Sequence, residues 1–120
     1  MKILSMVIED DEDLAEIFSK AVTAAGYEVE VINDGLVAQE RLKEVVPSIV
    51  ILDMHIPHVS GDKIFKQIRD DERLQSTRVV VATADAQMGE SMWGKADLVL
   101  IKPISFTQLR DLTSRFLPRT

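Results

Sequence analysis

Four kinds of side chain stand where apolar runs end. Glu9 and Asp10 follow Ile3 to Ile8 and open five consecutive acids, Glu9-Asp10-Asp11-Glu12-Asp13. Asp53 follows Ile49-Val50-Ile51-Leu52, Thr83 follows Val79-Val80-Val81-Ala82, and Lys102 follows Leu98-Val99-Leu100-Ile101. Each alone has an ordinary reading. Acids suit the first turn of a helix, which accounts for Asp11 to Asp13. Asp53 could be a turn aspartate, Thr83 a β-branched strand end and Lys102 a solvated charge. Helix-dipole chemistry explains Glu9 and Asp10 less well, because carboxylates crowded at a strand exit repel one another unless a cation offsets them. An all-oxygen set selects a hard ion such as Mg²⁺ or Ca²⁺. Together the groups fit phosphoryl chemistry. A carboxylate can be the nucleophile, an ammonium and a divalent cation can neutralise the equatorial oxygens, and a hydroxyl can donate to one of them.

For these groups to meet, the runs that precede them must lie side by side. Five short apolar runs, at Ile3 to Ile8, Tyr27 to Ile32, Ile49 to Leu52, Val79 to Ala82 and Leu98 to Ile101, suit strands buried on both faces. The second alternates with glutamates, as a strand near an edge does. Between them lie helical patterns. Leu14, Ile17, Phe18, Ala21, Val22 and Ala25 mark one inward face, with Gly26 as its C-terminal cap. Asp34-Gly35 opens a second helix with Val37, Ala38, Leu42 and Val45 inward, and Ile64, Phe65 and Ile68 mark a third after Gly61. A short fourth is predicted over Gln87 to Trp93. Ser105-Phe106-Thr107-Gln108 is a capping-box sequence that starts a fifth helix carrying Leu109, Leu112 and Phe116. Alternating strands and helices predict an α/β fold, an open, doubly wound parallel sheet with right-handed crossovers. Ligands bind such sheets at the carboxyl ends of the strands, where all the polar groups above are delivered.

The 120 residues leave room for one domain, 1–120. The absence of cysteine excludes disulfides, thiolate zinc sites and cysteine nucleophiles, and fits a reducing compartment. A net charge of −6 argues against binding nucleic acid by charge. No apolar run approaches a membrane span, and the N-terminus reads as a strand followed by acids rather than a signal peptide. A cytoplasmic location is expected. Gly89 to Lys95 matches most of a phosphate-binding loop, but Ala96 replaces the required hydroxyl and Met92 and Trp93 fill the cradle. His55 and His58 could suggest a transition-metal site, yet no further histidine or cysteine exists to complete one; they read as exposed loop residues. Met88, Met92 and Trp93 read as packing for the short fourth helix more than as a partner patch.

Val7-Ile8-Glu9-Asp10-Asp11, Leu52-Asp53 with Pro57 and Gly61, Ala82-Thr83-Ala84 and Lys102-Pro103 occur in an order and spacing that resembles the receiver domain of two-component response regulators, over nearly the whole chain. The resemblance implies a flavodoxin-like sheet of five strands, order 2-1-3-4-5, with five helices (the handed order is a known one for this family). It implies that Asp53 accepts a phosphoryl group from a histidine kinase or phosphotransfer protein, and that the product changes binding to a downstream output protein. It implies that Glu9, Asp10, Asp53 and the backbone carbonyl of His55 hold Mg²⁺, Glu9 through water, and that Thr83 and Lys102 contact the phosphoryl group. It also implies a cis Lys102-Pro103 bond.

The chain departs from the family in three places. Val99 stands where an aromatic residue often couples to the threonine, the Thr83–Lys102 segment is about three residues short, and His55 takes a variable position facing the site. A phosphatase working through an aspartyl-phosphate is the rival reading. Such enzymes pair the nucleophile with an acid two residues on, where this chain has His55, and select substrate with a cap domain that these 120 residues lack. The switch is therefore preferred to a turnover enzyme.

Overall fold

The computed structural model describes residues 3–117. Strands β1 (Ile3–Ile8), β2 (Tyr27–Ile32), β3 (Ile49–Leu52), β4 (Arg78–Thr83) and β5 (Leu98–Ile101) alternate with helices α1 (Glu12–Ala25), α2 (Gly35–Glu44), α3 (Gly61–Asp70), α4 (Ala86–Ser91) and α5 (Phe106–Ser114). All neighbouring strands pair in parallel, in the order β2-β1-β3-β4-β5. The predicted fold class and strand order are the observed ones.

Strand pleating explains the unbroken apolar runs, because alternate residues serve opposite faces. Met6, Ile8, Val50, Leu52, Val79 and Val81 meet Ala38 and Leu42 of α2, Ile64 and Ile68 of α3, and Met92. Val7, Ile49, Ile51, Val80, Ala82 and Leu100 meet Phe18, Ala21 and Val22 of α1 and Leu109 of α5. Each fully buried large aliphatic contributes roughly 1.5–3 kcal/mol. Tyr27 O–H donates to the Thr113 carbonyl at 2.9 Å, tying β2 to α5 through the buried space; burial pushes its phenol up to about 12.

Helix ends follow the sequence signals. Asp11 caps α1 by accepting the Leu14 N–H at 3.0 Å, and Gly26 ends it at φ 117°. Asp34 caps α2 through the Leu36 and Val37 N–H groups. Ser105 caps α5 by accepting the Gln108 N–H at 3.0 Å.

Some expectations are corrected. Ile17 and Val37 are exposed, at 40% and 50%, because the inward stripe of α1 runs through Ala15 and that of α2 is confined to Ala38 and Leu42, both expected there. Strand β5 closes the sheet as an edge, so it is only partly buried and Ile101 reaches solvent. Strand β4 is longer at both ends than its apolar run, and Phe116 lies past the end of α5. A 3₁₀ turn at Glu72–Leu74, which had no periodic signal, buries Leu74 beneath α3.

Candidate functional site

The parallel register brings the strand ends level. Ile8 pairs with Leu52, Leu52 with Val81 and Thr83 with Ile101. The residues just beyond them therefore share one edge. The Asp53 N–H donates to the Ile8 carbonyl at 3.0 Å and the Lys102 N–H to the Thr83 carbonyl at 2.8 Å, so pairing continues into the site. Lys102-Pro103 is cis, as the resemblance implied.

Two glycines hold the loop that leaves Asp53. Gly61, at the start of α3, donates to the Met54 carbonyl at 3.1 Å. A Cβ there would stand 2.5 Å from the Asp53 carbonyl oxygen and 2.6 Å from Met54 Cα, so only glycine lets α3 seat against the backbone of Asp53. Gly35 supports the far end. Its N–H donates to the Pro57 carbonyl at 2.9 Å, and a Cβ would lie 2.5 Å from the Val59 carbonyl. His58, at φ 72°, closes the turn with a side-chain contact between its ring Nδ1 and the Asp34 carboxylate.

Within this frame the structure brings Glu9, Asp10, Asp53 and Lys102 together. Glu9 and Asp53 are buried, at 2% and 6% exposure, while Asp10 is exposed. Lys102 Nζ stands 2.7 Å from Glu9 Oε1 and 3.3 Å from Asp53 Oδ2. The contact with Glu9 is an ion pair out of line for a hydrogen bond, which leaves Oε1 buried without a hydrogen-bond partner. Burial raises the Glu9 carboxyl above its ordinary value; Lys102 opposes this and the Asp53 charge adds to it. Burial alone would lower Lys102, but Glu9 and Asp53 outweigh it and raise the ammonium instead.

Among the described residues, one carboxylate oxygen each from Glu9, Asp10 and Asp53 lie within 4.8 Å of one another. Three hard oxygen donors this close together form a metal-competent acidic cluster.

Thr83 is fully buried. Its Oγ1 accepts the Asp85 N–H at 3.1 Å, and among the described residues its own proton goes to no acceptor. His55 contributes through both its backbone and its ring. Its backbone N–H donates to Asp53 Oδ1 at 3.1 Å. Its imidazole is exposed and spans to Asp85, Nε2 to Oδ2 at 3.2 Å. Asp85 also caps α4 by accepting the Met88 N–H at 3.0 Å, so this pair straps the loop after β3 to the loop after β4. That partnership joins residues 30 apart, each two positions beyond a strand-end site residue.

The decoys resolve structurally. His55 and His58 pair with different carboxylates, so they form no common metal site. The segment Gly89 to Lys95 is the end of a six-residue helix followed by turns, and a strand follows it. Met92 is buried and Met88 packs on the core, whereas Trp93 is 68% exposed. Gly89 lets α4 lie against the sheet, because a Cβ would come 2.6 Å from Ile101 and 3.3 Å from Val99.

Comparison with known proteins bears on the same residues. The family model described as "Response regulator receiver domain" matches residues 5–114. The chain is 30% identical over 115 residues to the polar-differentiation response regulator DivK of Brucella ovis, covering 93% of this chain and 94% of that protein. Among solved structures it resembles a CheY-like receiver domain from Methylobacillus flagellatus, with TM-score 0.85 and 20% identity over 98% of this chain and all of that one. It also resembles the chemotaxis response regulator CheY4 of Vibrio cholerae, with TM-score 0.84 and 23% identity, again over 98% and 100%. No helix among the described residues is long and apolar enough to cross a membrane. On the matched span, the observed strand order and the acid cluster at the strand ends, this chain belongs to the response regulator receiver domain family.

Proposed function

We propose that Asp53 is the phosphoacceptor of a two-component signalling switch, with Thr83 and Lys102 as its catalytic partners. The observation that carries the reading is the placement of Lys102 between Asp53 and Glu9, beside three carboxylates close enough to share one cation. The donor is a phosphohistidine of a histidine kinase or phosphotransfer protein. An Asp53 carboxylate oxygen attacks phosphorus, the P–N bond breaks, and the histidine nitrogen keeps its electron pair and takes a proton. Lys102 neutralises charge on the equatorial oxygens in the loose transition state. The free Thr83 proton is available to one of those oxygens, which would draw its hydroxyl away from the Asp85 N–H. The His55 N–H fixes one Asp53 oxygen and so orients the carboxylate.

Glu9, Asp10, Asp53 and the His55 carbonyl would hold Mg²⁺, whose chemistry is to balance the carboxylate charge and that of the incoming phosphoryl group. We read the chain as one receiver domain, 1–120, acting in the cytoplasm. It is a switch rather than a turnover enzyme, its product altering binding to a separate output protein.

Labelling by acetyl phosphate tests this. In the presence of Mg²⁺ the intact mass should gain one phosphoryl group, and an excess of chelator should abolish the gain. Labelling at the same rate in chelator would overturn the metal assignment.

The His55–Asp85 strap makes a separate prediction. It joins the residue two beyond Asp53 to the residue two beyond Thr83, so breaking it should admit water and shorten the lifetime of the phosphorylated form. His55→Ala and Asp85→Ala should each speed phosphate loss by about two- to fivefold, the scale of one exposed polar contact. The double variant should decay no faster than the quicker single one, because both remove the same contact. Decay rates within twofold of wild type would exclude the strap from the mechanism.

A further inference from the structure

An open cavity of about 610 Å³ lies at the opposite edge of the sheet from Asp53, at the amino ends of β1, β3 and β4 and under the end of α5. The strands separate the two edges by four to six residues, roughly 13–20 Å. In a chain with twenty acidic residues and net charge −6, no carboxylate among the described residues lines this cavity, while Arg78 and Arg115 both do. Arg115 is exposed and pairs with no acid among the described residues. Arg78 reaches out to Asp97 at 3.2 Å and lies 5.8 Å from the centroid of the Phe116 ring. Asp97 is already engaged by Arg69 at 2.9 Å and by the Val79 N–H at 2.7 Å, so one carboxylate is shared by two guanidiniums, and the third guanidinium, that of Arg115, is unopposed among the described residues. The hydroxyls of Ser48 and Ser76 complete the rim without a hydrogen-bond partner among the described residues. Val46, 53% exposed, and Phe116 add apolar surface to the lining.

We infer that this cavity binds a small organic phosphate. Arg78 and Arg115, with Ser48 and Ser76, would take the anionic phosphate, and Val46 and Phe116 would cover a flat or apolar body. The chemistry follows from the donors. Guanidinium groups and hydroxyls present only hydrogen bonds that a phosphate can accept, in the forked geometry suited to its oxygens. The apolar surface rewards a ligand carrying more than the anion itself. An ordinary structural role for Arg115, offsetting the partial negative end of α5, predicts no ligand and is separated from this reading by experiment.

The test is an amide-resonance titration of the full chain in chelator, which keeps Asp53 chemistry silent. The probes are phenyl phosphate, inorganic phosphate and phenol. Phenyl phosphate should produce saturable shifts at Ser48, Ser76, Thr77 and Phe116, and none around Asp53. Inorganic phosphate and phenol should each bind at least about tenfold more weakly, since each lacks half of the ligand. Arg115→Glu should weaken phenyl phosphate by about tenfold or more while leaving the melting temperature and Asp53 labelling unchanged. Ser76→Ala should weaken it less. Absence of saturation by about 10 mM phenyl phosphate, equal binding of inorganic phosphate, or unchanged binding in Arg115→Glu would overturn the inference.

Discussion

Asp53→Asn is expected to take up no phosphoryl group from acetyl phosphate under conditions that label the wild-type protein, a loss on the order of 10³-fold or more. The substitution keeps the shape of the side chain and one carbonyl oxygen to accept the His55 N–H, which is 3.1 Å from Asp53 Oδ1. It removes the anionic nucleophile and weakens the 3.3 Å contact of Oδ2 with Lys102, which keeps its closer partner Glu9 at 2.7 Å. Removing that charge also relieves repulsion with the buried Glu9 carboxylate, a contact that helps raise the Glu9 carboxyl. The variant should therefore melt no lower than wild type in chelator. Loss of labelling with unchanged or higher stability separates a chemical role from a structural one, whereas joint loss of both would not fit this geometry.

Lys102→Ala should give the largest loss of stability. Lys102 is the cation shared by Glu9 and Asp53, and its side chain is only 13% exposed. Without it two buried carboxylates face each other uncompensated, which costs about 3–5 kcal/mol in comparable cases. The pH dependence has a definite sign. The Lys102 ammonium is raised on folding, so its contribution is complete below its ordinary value of about 10.4 and is lost only as pH rises through the folded value. The Glu9 carboxyl is also raised. For an acid this means that stability falls as pH climbs from the ordinary value, about 4.3, through the folded one. Deleting Lys102 removes a lowering influence on Glu9 and widens that window. The deficit of Lys102→Ala in urea denaturation should be greatest near neutrality in chelator. It should shrink as pH falls toward the carboxylate range, and shrink again when Mg²⁺ is added. A deficit under about 1 kcal/mol, or one indifferent to pH, would mean that the ammonium is not what stabilises the acid pair.

Much of this was legible in the sequence because parallel strands write themselves plainly. A run such as Ile49 to Leu52 must be buried on both faces, and polar residues at the exits of β1, β3, β4 and β5 must then share an edge. Caps at Asp11, Asp34 and Ser105 were equally readable, since each rests on a bond to a residue two or three positions away. Contacts between distant segments were not. The His55–Asp85 strap, the His58–Asp34 pair and the clamp of Asp97 on Arg69 and Arg78 each join loops or elements that local spacing cannot relate. Helix faces were legible only in outline. Ile17 and Val37 fit the apolar period, but the small residues Ala15 and Ala38 make the close approach to the sheet. Thr83 was placed at the right edge, yet nothing local to it showed that its hydroxyl would accept from Asp85 while keeping its proton free.

The most direct measurement is the position of the covalent phosphoryl group. After phosphorylation by acetyl phosphate with Mg²⁺, borohydride reduces an aspartyl-phosphate to homoserine, and tryptic digestion releases the peptide Glu44 to Lys63, which contains Asp53, His55 and His58. The structure predicts homoserine at position 53 and at no other acid. Homoserine at Asp10 or Asp62, or an unreduced phosphoryl group carried by His55 or His58, would contradict it.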